Sequence, residues 1–173
     1  MAACETNPAG TSLDQSAIAA EMILNRQHTV RVSVGELGEF LSRARRALRV
    51  PAESVTVCLV ANSEMARWNR AYRGKPGPTD VLSFPADAAR NGRTGAVPRR
   101  KKSQLVAANY LGDIVIAPAV ARRNARRFGR TFGEEMRILI LHGMLHLMGY
   151  DHETDSGQMN RRELRLRRAL GLA

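Results

Sequence analysis

The stretch TFGEEMRILILHGMLHLMGYDHETD, residues 131–155, decides the fold because it describes a buried helix together with its beginning and its end. Thr131 and Glu134 have the spacing of a capping box, in which each side chain bonds the other residue's backbone N–H, so a helix is expected to begin there. Ile138–Met148 is apolar on nearly every side, which is typical of a helix inside a core. Gly149 suits the left-handed residue that ends a helix. The segment therefore predicts a buried helix at the centre of the domain.

Three of the four histidines in the chain lie within eleven residues of one another. His142 and His146 are four residues apart, which places both imidazoles on one helix face with Cβ atoms roughly 5–6 Å apart. His152 follows beyond the glycine turn, and six residues after His146 are enough for the chain to fold back. Three unrelated core histidines are the alternative, but buried ring nitrogens each need a partner. The spacing therefore predicts one metal site per chain, with zinc as the expected ion, whereas His28 lies far away and receives no role.

Three histidine ligands leave one coordination position of the metal open. A structural zinc usually has four protein ligands, whereas a catalytic zinc keeps one position for water or substrate. Asp151 and Asp155 are close enough in sequence to orient a ligand or to join the metal, although a solvent-exposed residue of the turn is the simpler interpretation of Asp155. Zinc peptidases of the H-E-x-x-H type carry their general base directly after the first histidine, and Gly143 occupies that position here. The pattern favours a catalytic metal and disfavours peptidase chemistry.

Strand-like and helix-like segments alternate along the chain until only helices follow. Runs of β-branched or alternating apolar residues predict four strands, and apolar residues at helical spacing predict about five helices. This order favours an α/β (α+β) domain with a single mixed four-stranded sheet packed by the helices. The predicted strands are Thr29–Val34, Val55–Val60, Val81–Phe84 and Tyr110–Ile116, and the predicted helices are 37–48, 62–72, 117–128, 131–148 and 156–171.

The length of 173 residues, of which 44% are hydrophobic, suits one domain. Residues 1–27 are polar and Ala-rich and predict a flexible N-terminal tail, which leaves 28–173 as the folded domain. The segment 88–107 holds six basic residues and no acid and predicts a basic loop. Neither a membrane span nor a secretory signal is indicated. Cys4 and Cys58 are expected to be free thiols in a reducing cytoplasm.

The chain is strongly basic, with 27 Lys and Arg residues against 16 Asp and Glu residues and a formal net charge of +11. Such an excess favours a polyanionic partner, nucleic acid before an acidic membrane surface. Arginine dominates over lysine, and its planar fork suits phosphate. A GC-rich genome would also enrich arginine, and composition does not separate the two explanations.

Three segments match the pattern of one known family. They are HGMLHLMGYDH at 142–152, YRGKPGPTDVLSFP at 72–85 and LGDIVI at 111–116. Together they resemble the YbeY family of bacterial rRNA maturation factors. The resemblance covers about residues 29–171, and the first motif is highly specific.

The resemblance implies a single-strand-specific metallo-endoribonuclease that matures the 3′ end of the small-subunit rRNA and acts in ribosome quality control. Ribosomal RNA and the small ribosomal subunit are the implied partners, and a four-stranded, mostly parallel sheet is the implied fold. The family's metal ligands map onto His142, His146 and His152, and its functionally important arginine maps onto Arg73. Ala117-Pro118 departs from the more usual residues after the last strand. The tail and the basic loop look longer than the family core needs, so a role of that loop in RNA binding stays open.

Arg73 is expected to clamp a phosphate while the metal binds a phosphate oxygen or activates water. The alternative is an ordinary arginine at a helix C-terminus, where it interacts favourably with the helix dipole. Two rival functions stay open, a non-catalytic ribosome-binding factor with a structural zinc and a metal-dependent peptidase. Other polar and aromatic residues have simpler structural interpretations: a turn for Thr79 and Asp80, sheet support for Asp113, core packing for Trp68 and Tyr72, and a solvated face for Arg161, Arg162, Arg165, Arg167 and Arg168.

Overall fold

The computed structural model describes residues 22–86, 110–152 and 154–172, and these residues surround a single sheet. The predicted basic loop and residues 1–21 of the predicted tail lie outside the described part. The strands are β1 (Ile23–Asn25), β2 (Val55–Leu59), β3 (Val81–Pro85) and β4 (Gly112–Ile116). The helices of the described residues are α1 (Val34–Leu48), α2 (Asn62–Arg73), α3 (Pro118–Arg127), α4 (Phe132–Leu147) and α5 (Gln158–Ala169).

The sheet is mixed and has the strand order β1-β2-β4-β3. Strands β1, β2 and β4 are parallel, and β3 runs antiparallel to β4. Side chains alternate between the two faces, so that Val57 and Leu59 of β2 enter the larger core cluster while Cys58 enters the smaller one. The predicted mixed four-stranded sheet is confirmed.

Helix α4 lies at the centre of the larger core, as predicted. Leu141, Met144 and Leu145 are completely buried, and the helix contacts α1, α3, α5, β3 and β4. Helix α2 covers the opposite face of the sheet, where Met65 packs with Leu82 and Val115. None of the helices in the described ranges is long and apolar enough to cross a membrane.

The predicted strand Thr29–Val34 is wrong, and the first strand is instead β1, within the segment predicted to be a tail. Val30 is buried and Val32 is half-buried, so the alternation does indicate which side chains turn inward. The backbone of Val30, however, is bonded by a side chain. Its N–H donates to Gln27 Oε1 at 2.9 Å, and its carbonyl accepts from Gln27 Nε2 at 2.9 Å. Because both polar groups are satisfied in this way, Val30 needs no strand partner.

The helix ends follow the sequence closely. Helix α2 begins at residue 62 as predicted, and Ala61 occupies its N-cap position without making a side-chain capping bond. The capping box of α4 is confirmed: the N–H of Glu134 donates to Thr131 Oγ1 at 3.2 Å, and the N–H of Thr131 donates to Glu134 Oε2 at 2.7 Å. Satisfying these terminal N–H groups fixes where the central helix begins.

Helix α4 approaches β4 very closely at Gly143. A Cβ atom built on Gly143 would lie 2.8 Å from Cγ2 of Ile114, which is fully buried. Ser83 of β3 donates a hydrogen bond to the Gly143 carbonyl at 3.3 Å. A side chain at this position therefore has no space, and the distance between the helix and the sheet depends on glycine.

We expect Gly143→Ala to lower the free energy of unfolding by about 1–3 kcal/mol, because Ile114 must move within a closely packed core. Gly133→Ala is the matched control in the same helix. The nearest atom to its added Cβ is the end of the Arg137 side chain at 3.9 Å, so this change should cost nothing and could stabilise by up to about 1 kcal/mol. Urea unfolding of both variants with a metal chelator present measures the difference. Equal midpoints for the two variants would contradict the close contact.

Candidate metal centre

His142 and His146 lie on one face of α4, one turn apart and half-buried. Their Nε2 atoms are 3.1 Å apart. Two nitrogens that each bind a tetrahedral zinc at about 2.0–2.1 Å are separated by roughly 3.3 Å. The two rings are thus already placed as neighbouring ligands of one ion would be.

A tight turn at the end of α4 returns His152 to the same place. Gly149 has φ +87°, and its N–H donates to the carbonyl of His146 at 3.0 Å. The next residue, Tyr150, donates to the carbonyl of Leu145 at 3.1 Å, which completes a Schellman motif. The ring centroid of His152 lies 5.4 Å and 5.2 Å from those of the two helical histidines. One potential ligand atom from each of the three rings lies within 4.8 Å of the others, so the group can hold a metal ion.

Glu163 of α5 fixes the orientation of His142. Its Oε2 atom lies 3.1 Å from His142 Nδ1, so the ring donates its Nδ1 proton and leaves the Nε2 lone pair directed at the other histidines. Arg167 donates from Nε to the second carboxylate oxygen at 3.1 Å. Burial raises the pKa of Glu163, but the hydrogen bond with His142 and the charge of Arg167 outweigh it and hold this pKa below its usual value. A charged carboxylate therefore backs the first ligand.

The remaining electrostatics favour the neutral form of His146. Burial lowers the pKa of His146, and the neighbouring rings of His142 and His152 lower it further. A neutral imidazole is the form that binds a metal. Three imidazole nitrogen donors, one of them backed by a carboxylate, fit a borderline ion such as zinc.

An open cleft of about 380 Å³ borders the centre between the end of α4 and the start of α5, lined in part by His142, His152 and Asn160. Asp155 also lines it, yet both of its carboxylate oxygens accept backbone N–H groups, from Gly157 and Met159 at 2.7 Å each. The turn interpretation of Asp155 is thus confirmed, although the residue is half-buried rather than solvent-exposed. Both oxygens of Asp155 are bonded at the start of α5, so Asp155 does not close the side of the centre that faces the cleft.

The carboxylate of Asp151 accepts a hydrogen bond from Thr154 Oγ1 at 3.2 Å, and its backbone carbonyl accepts from the N–H of Asp155 at 2.9 Å. These bonds tighten the turn that follows His152. A role of Asp151 at the metal, through a ligand or directly, stays a prediction.

Arg73 ends α2, the helix that packs on the face of the sheet opposite to α4. Its side chain is exposed. The structure does not test its predicted contact with substrate at the metal centre, so that role stays a prediction. Trp68 and Tyr72 pack edge-to-face on Phe84, with ring centroids 5.9 Å and 4.7 Å away, as expected for core packing.

The carboxylates of Asp80 and Asp113 have structural roles, as predicted. Asp80 accepts from the N–H of Val81 at 2.9 Å and from Asn124 Nδ2 at 2.9 Å, which ties the turn before β3 to α3. Asp113 accepts from the Tyr110 hydroxyl at 2.7 Å on the sheet. Both carboxylates therefore take part in the hydrogen bonding of the fold around the sheet.

Sequence reasoning missed Glu163 and Arg167, the second of which was assigned to a solvated face. A signal was present, because Met159, Glu163 and Leu170 are all buried on one stripe of α5. A carboxylate within an apolar helical stripe needs a buried partner. The sequence could not say that the partner is a histidine twenty-one residues earlier.

Fold and site together define an α+β protein with an open group of three histidines that can hold a metal ion. A sequence model described as endoribonuclease YbeY matches residues 22–171. Proteins named endoribonuclease YbeY from Koribacter versatilis and Sulfurovum sp. are 38% and 34% identical to this chain, over 87% and 86% of its length and 86% and 90% of theirs. The solution structure of TM1509 from Thermotoga maritima superposes with a TM-score of 0.52 at 27% identity, over 86% of this chain and 87% of that one. The chain belongs to the YbeY family of endoribonucleases.

We expect Glu163→Gln to weaken binding of Zn²⁺ about 10–100-fold, because the neutral amide no longer raises the basicity of His142 and leaves the charge of Arg167 facing the cation. Isothermal titration of the chelated protein with Zn²⁺ measures the affinity. Glu36→Gln, an exposed carboxylate on α1, is the control and should bind as the wild type does. Equal affinities of the two variants would show that Glu163 does not act on the metal ligand.

Proposed function

We propose that this protein is a zinc-dependent endoribonuclease specific for single strands, and that it acts in the cytoplasm on the 3′ end of the small-subunit rRNA and in ribosome quality control. The observation that carries the proposal is the grouping of His142, His146 and His152 beside an open cleft that His142 and His152 line, with Glu163 backing the first of them. An open site is typical of catalytic zinc. Family membership supplies the substrate class, and the net charge of +11 suits a polyanion.

Each part of the centre has a separate task in phosphodiester cleavage. The three histidines hold the ion, and Glu163 keeps His142 in the tautomer that binds it. Zinc, when bound, supplies a positive charge that polarises phosphoryl oxygens and acidifies water. Arg73 binds the phosphate through its two-pronged guanidinium and so orients the bond to be cut. In this proposal the unpaired strand reaches the ion through the cleft that His142 and His152 line.

The two rival functions are less well supported by the same geometry. A peptidase of the H-E-x-x-H type needs a glutamate at position 143, where Ile114 leaves no space even for a Cβ atom. A structural zinc needs a fourth protein ligand. Asp155 is bonded to the backbone of α5 instead, and the carboxylate of Asp151 accepts a hydrogen bond from Thr154. The exposure of His152 to the cleft also favours a site that exchanges ligands.

His146→Ala should reduce cleavage of a labelled single-stranded RNA containing the small-subunit 3′ end by at least about 100-fold, because one of three ligands is removed. His28→Ala is the matched control, since His28 is an exposed histidine that precedes α1. Gel analysis of the RNA is compared with zinc content and with circular dichroism of each variant. Equal cleavage by both variants would show that the activity does not depend on this centre. If the wild type does not cleave the RNA and His146→Ala is less stable than the wild type, a structural zinc is favoured.

Arg73→Glu should reduce cleavage at least about 100-fold while leaving zinc content unchanged, because a carboxylate repels the phosphate that the guanidinium binds. Arg70→Glu is the control, because it makes the same charge change at an exposed position of the same helix. It should retain most of the activity. If the two variants lose activity equally, the effect is one of general charge, and Arg73 has no specific place in the site.

A further inference from the structure

Phe128 is an exposed aromatic residue held in a rigid position at the end of α3. Its exposed fraction is 54%. Gly129, with φ +66°, allows a Schellman motif in which Arg130 N–H donates to the carbonyl of Ala125 at 2.9 Å and Gly129 N–H donates to that of Arg126 at 3.4 Å. The backbone on both sides of Phe128 is thereby fixed, so the ring is presented to solvent at little further cost in chain entropy.

Arginines surround this ring. The guanidinium carbons of Arg127 and Arg130 lie 5.8 Å and 5.2 Å from the Phe128 ring centroid. No acidic residue occurs between Pro118 and Arg130. Among the described residues, one arginine of this segment forms an ion pair with an acidic side chain: Arg130 pairs with Glu135 at 2.9 Å. The exposed guanidinium groups of the helix are Arg123, Arg126 and Arg127.

An exposed aromatic ring among arginines has the chemistry that binds single-stranded nucleic acid. A base stacks on the ring whatever its sequence, and guanidinium groups bind the phosphates on either side. The alternative, that the arginines only compensate the negative end of the α3 dipole, accounts for their charge. It does not account for a large apolar side chain left in water beside them.

The separation between the metal centre and the arginines around Phe128 can be followed along α4. Glu135, the partner of Arg130, precedes His142 by seven residues, which is close to two turns and places both residues on the same side of the helix. The rise over seven residues is about 10 Å. Glu135 pairs with the Arg130 guanidinium that lies over the Phe128 ring, and it is thus separated from His142 by two turns of α4. Three or four stacked nucleotides, at about 3.4 Å each, span such a distance.

We propose that Phe128, together with Arg126 and Arg127, forms a subsite that stacks one base of a single-stranded RNA a few nucleotides away from the bond to be cut. The proposal rests on the proposed function, since it takes RNA as the substrate. The subsite would add affinity for strands long enough to reach both places and would leave very short strands unaffected.

Fluorescence anisotropy with a labelled single-stranded RNA of about 12 nucleotides, long enough to reach both places at about 3.4 Å per nucleotide, tests this proposal, with a chelator present to prevent cleavage. Phe128→Leu keeps an apolar side chain without a ring and should weaken binding at least about fivefold, whereas Phe128→Trp keeps a stacking surface and should bind at least as tightly as the wild type. Leu164→Ala is the control, because Leu164 is a large aliphatic residue that is 45% exposed on the arginine-rich α5, and its removal should change nothing.

The arginines are tested by salt dependence. Replacing Arg126 and Arg127 with Gln should reduce the slope of log affinity against log salt by about one to two, which is about one for each phosphate that the variant no longer neutralises. An unchanged slope would remove these two residues from the subsite.

Binding by Phe128→Leu equal to that of the wild type would overturn the proposal, as would failure of Phe128→Trp to retain affinity. If Phe128→Leu binds the RNA normally but no longer binds purified small ribosomal subunits, the surface contacts protein and the subsite is likewise excluded. These results are distinct from failure of the proposed function, in which the wild type itself would neither bind nor cut single-stranded RNA.

Discussion

The close contact between α4 and β4 at Gly143 and Ile114 is the constraint on which the rest of the structure depends. It allows α4 to enter the core at a distance that no larger residue at position 143 permits. The helix is then buried on nearly all sides and has little freedom to rotate. The faces of His142 and His146 are consequently set by packing rather than by any bond that the imidazoles make.

The same constraint limits the chemistry of the centre. In zinc peptidases the residue after the first histidine supplies the general base, and here that position belongs to the helix–sheet contact. The carboxylate of this centre comes instead from α5, where Glu163 meets the far side of the His142 ring. A carboxylate in that position orients a ligand and adjusts its basicity. Its two oxygens are bonded by His142 and by Arg167.

Features that depend on residues close together in the chain were predicted correctly from the sequence. The capping box at Thr131, the left-handed Gly149 and the histidine spacing on α4 all depend on residues close together in the chain, and the structure has each of them. Two features failed because they depend on tertiary surroundings. The alternation around Val30 reflects burial beside the Gln27 side chain rather than a strand. Strand β1 has three residues, too few for a pattern, and exists because its backbone pairs with β2.

The arginines illustrate why composition alone does not locate a nucleic-acid surface. Helix α5 has arginines that serve the fold: Arg167 bonds Glu163, Arg161 donates to the Ser156 carbonyl at 3.0 Å, and Arg162 lies over the Tyr150 ring at 5.1 Å. Those contacts hold the turn and helix that complete the metal centre, so a solvated arginine face is only part of the role of α5.

Helix α3 differs because most of its arginines have no acidic partner among the described residues, and the aromatic ring at its end remains in water. A genome-wide bias toward arginine would enrich both helices alike. It would not explain why the arginines of α5 contact the fold while those of α3 are grouped around an exposed ring. The distribution of the positive charge, rather than its total, therefore favours a polyanionic partner on the α3 side of the molecule.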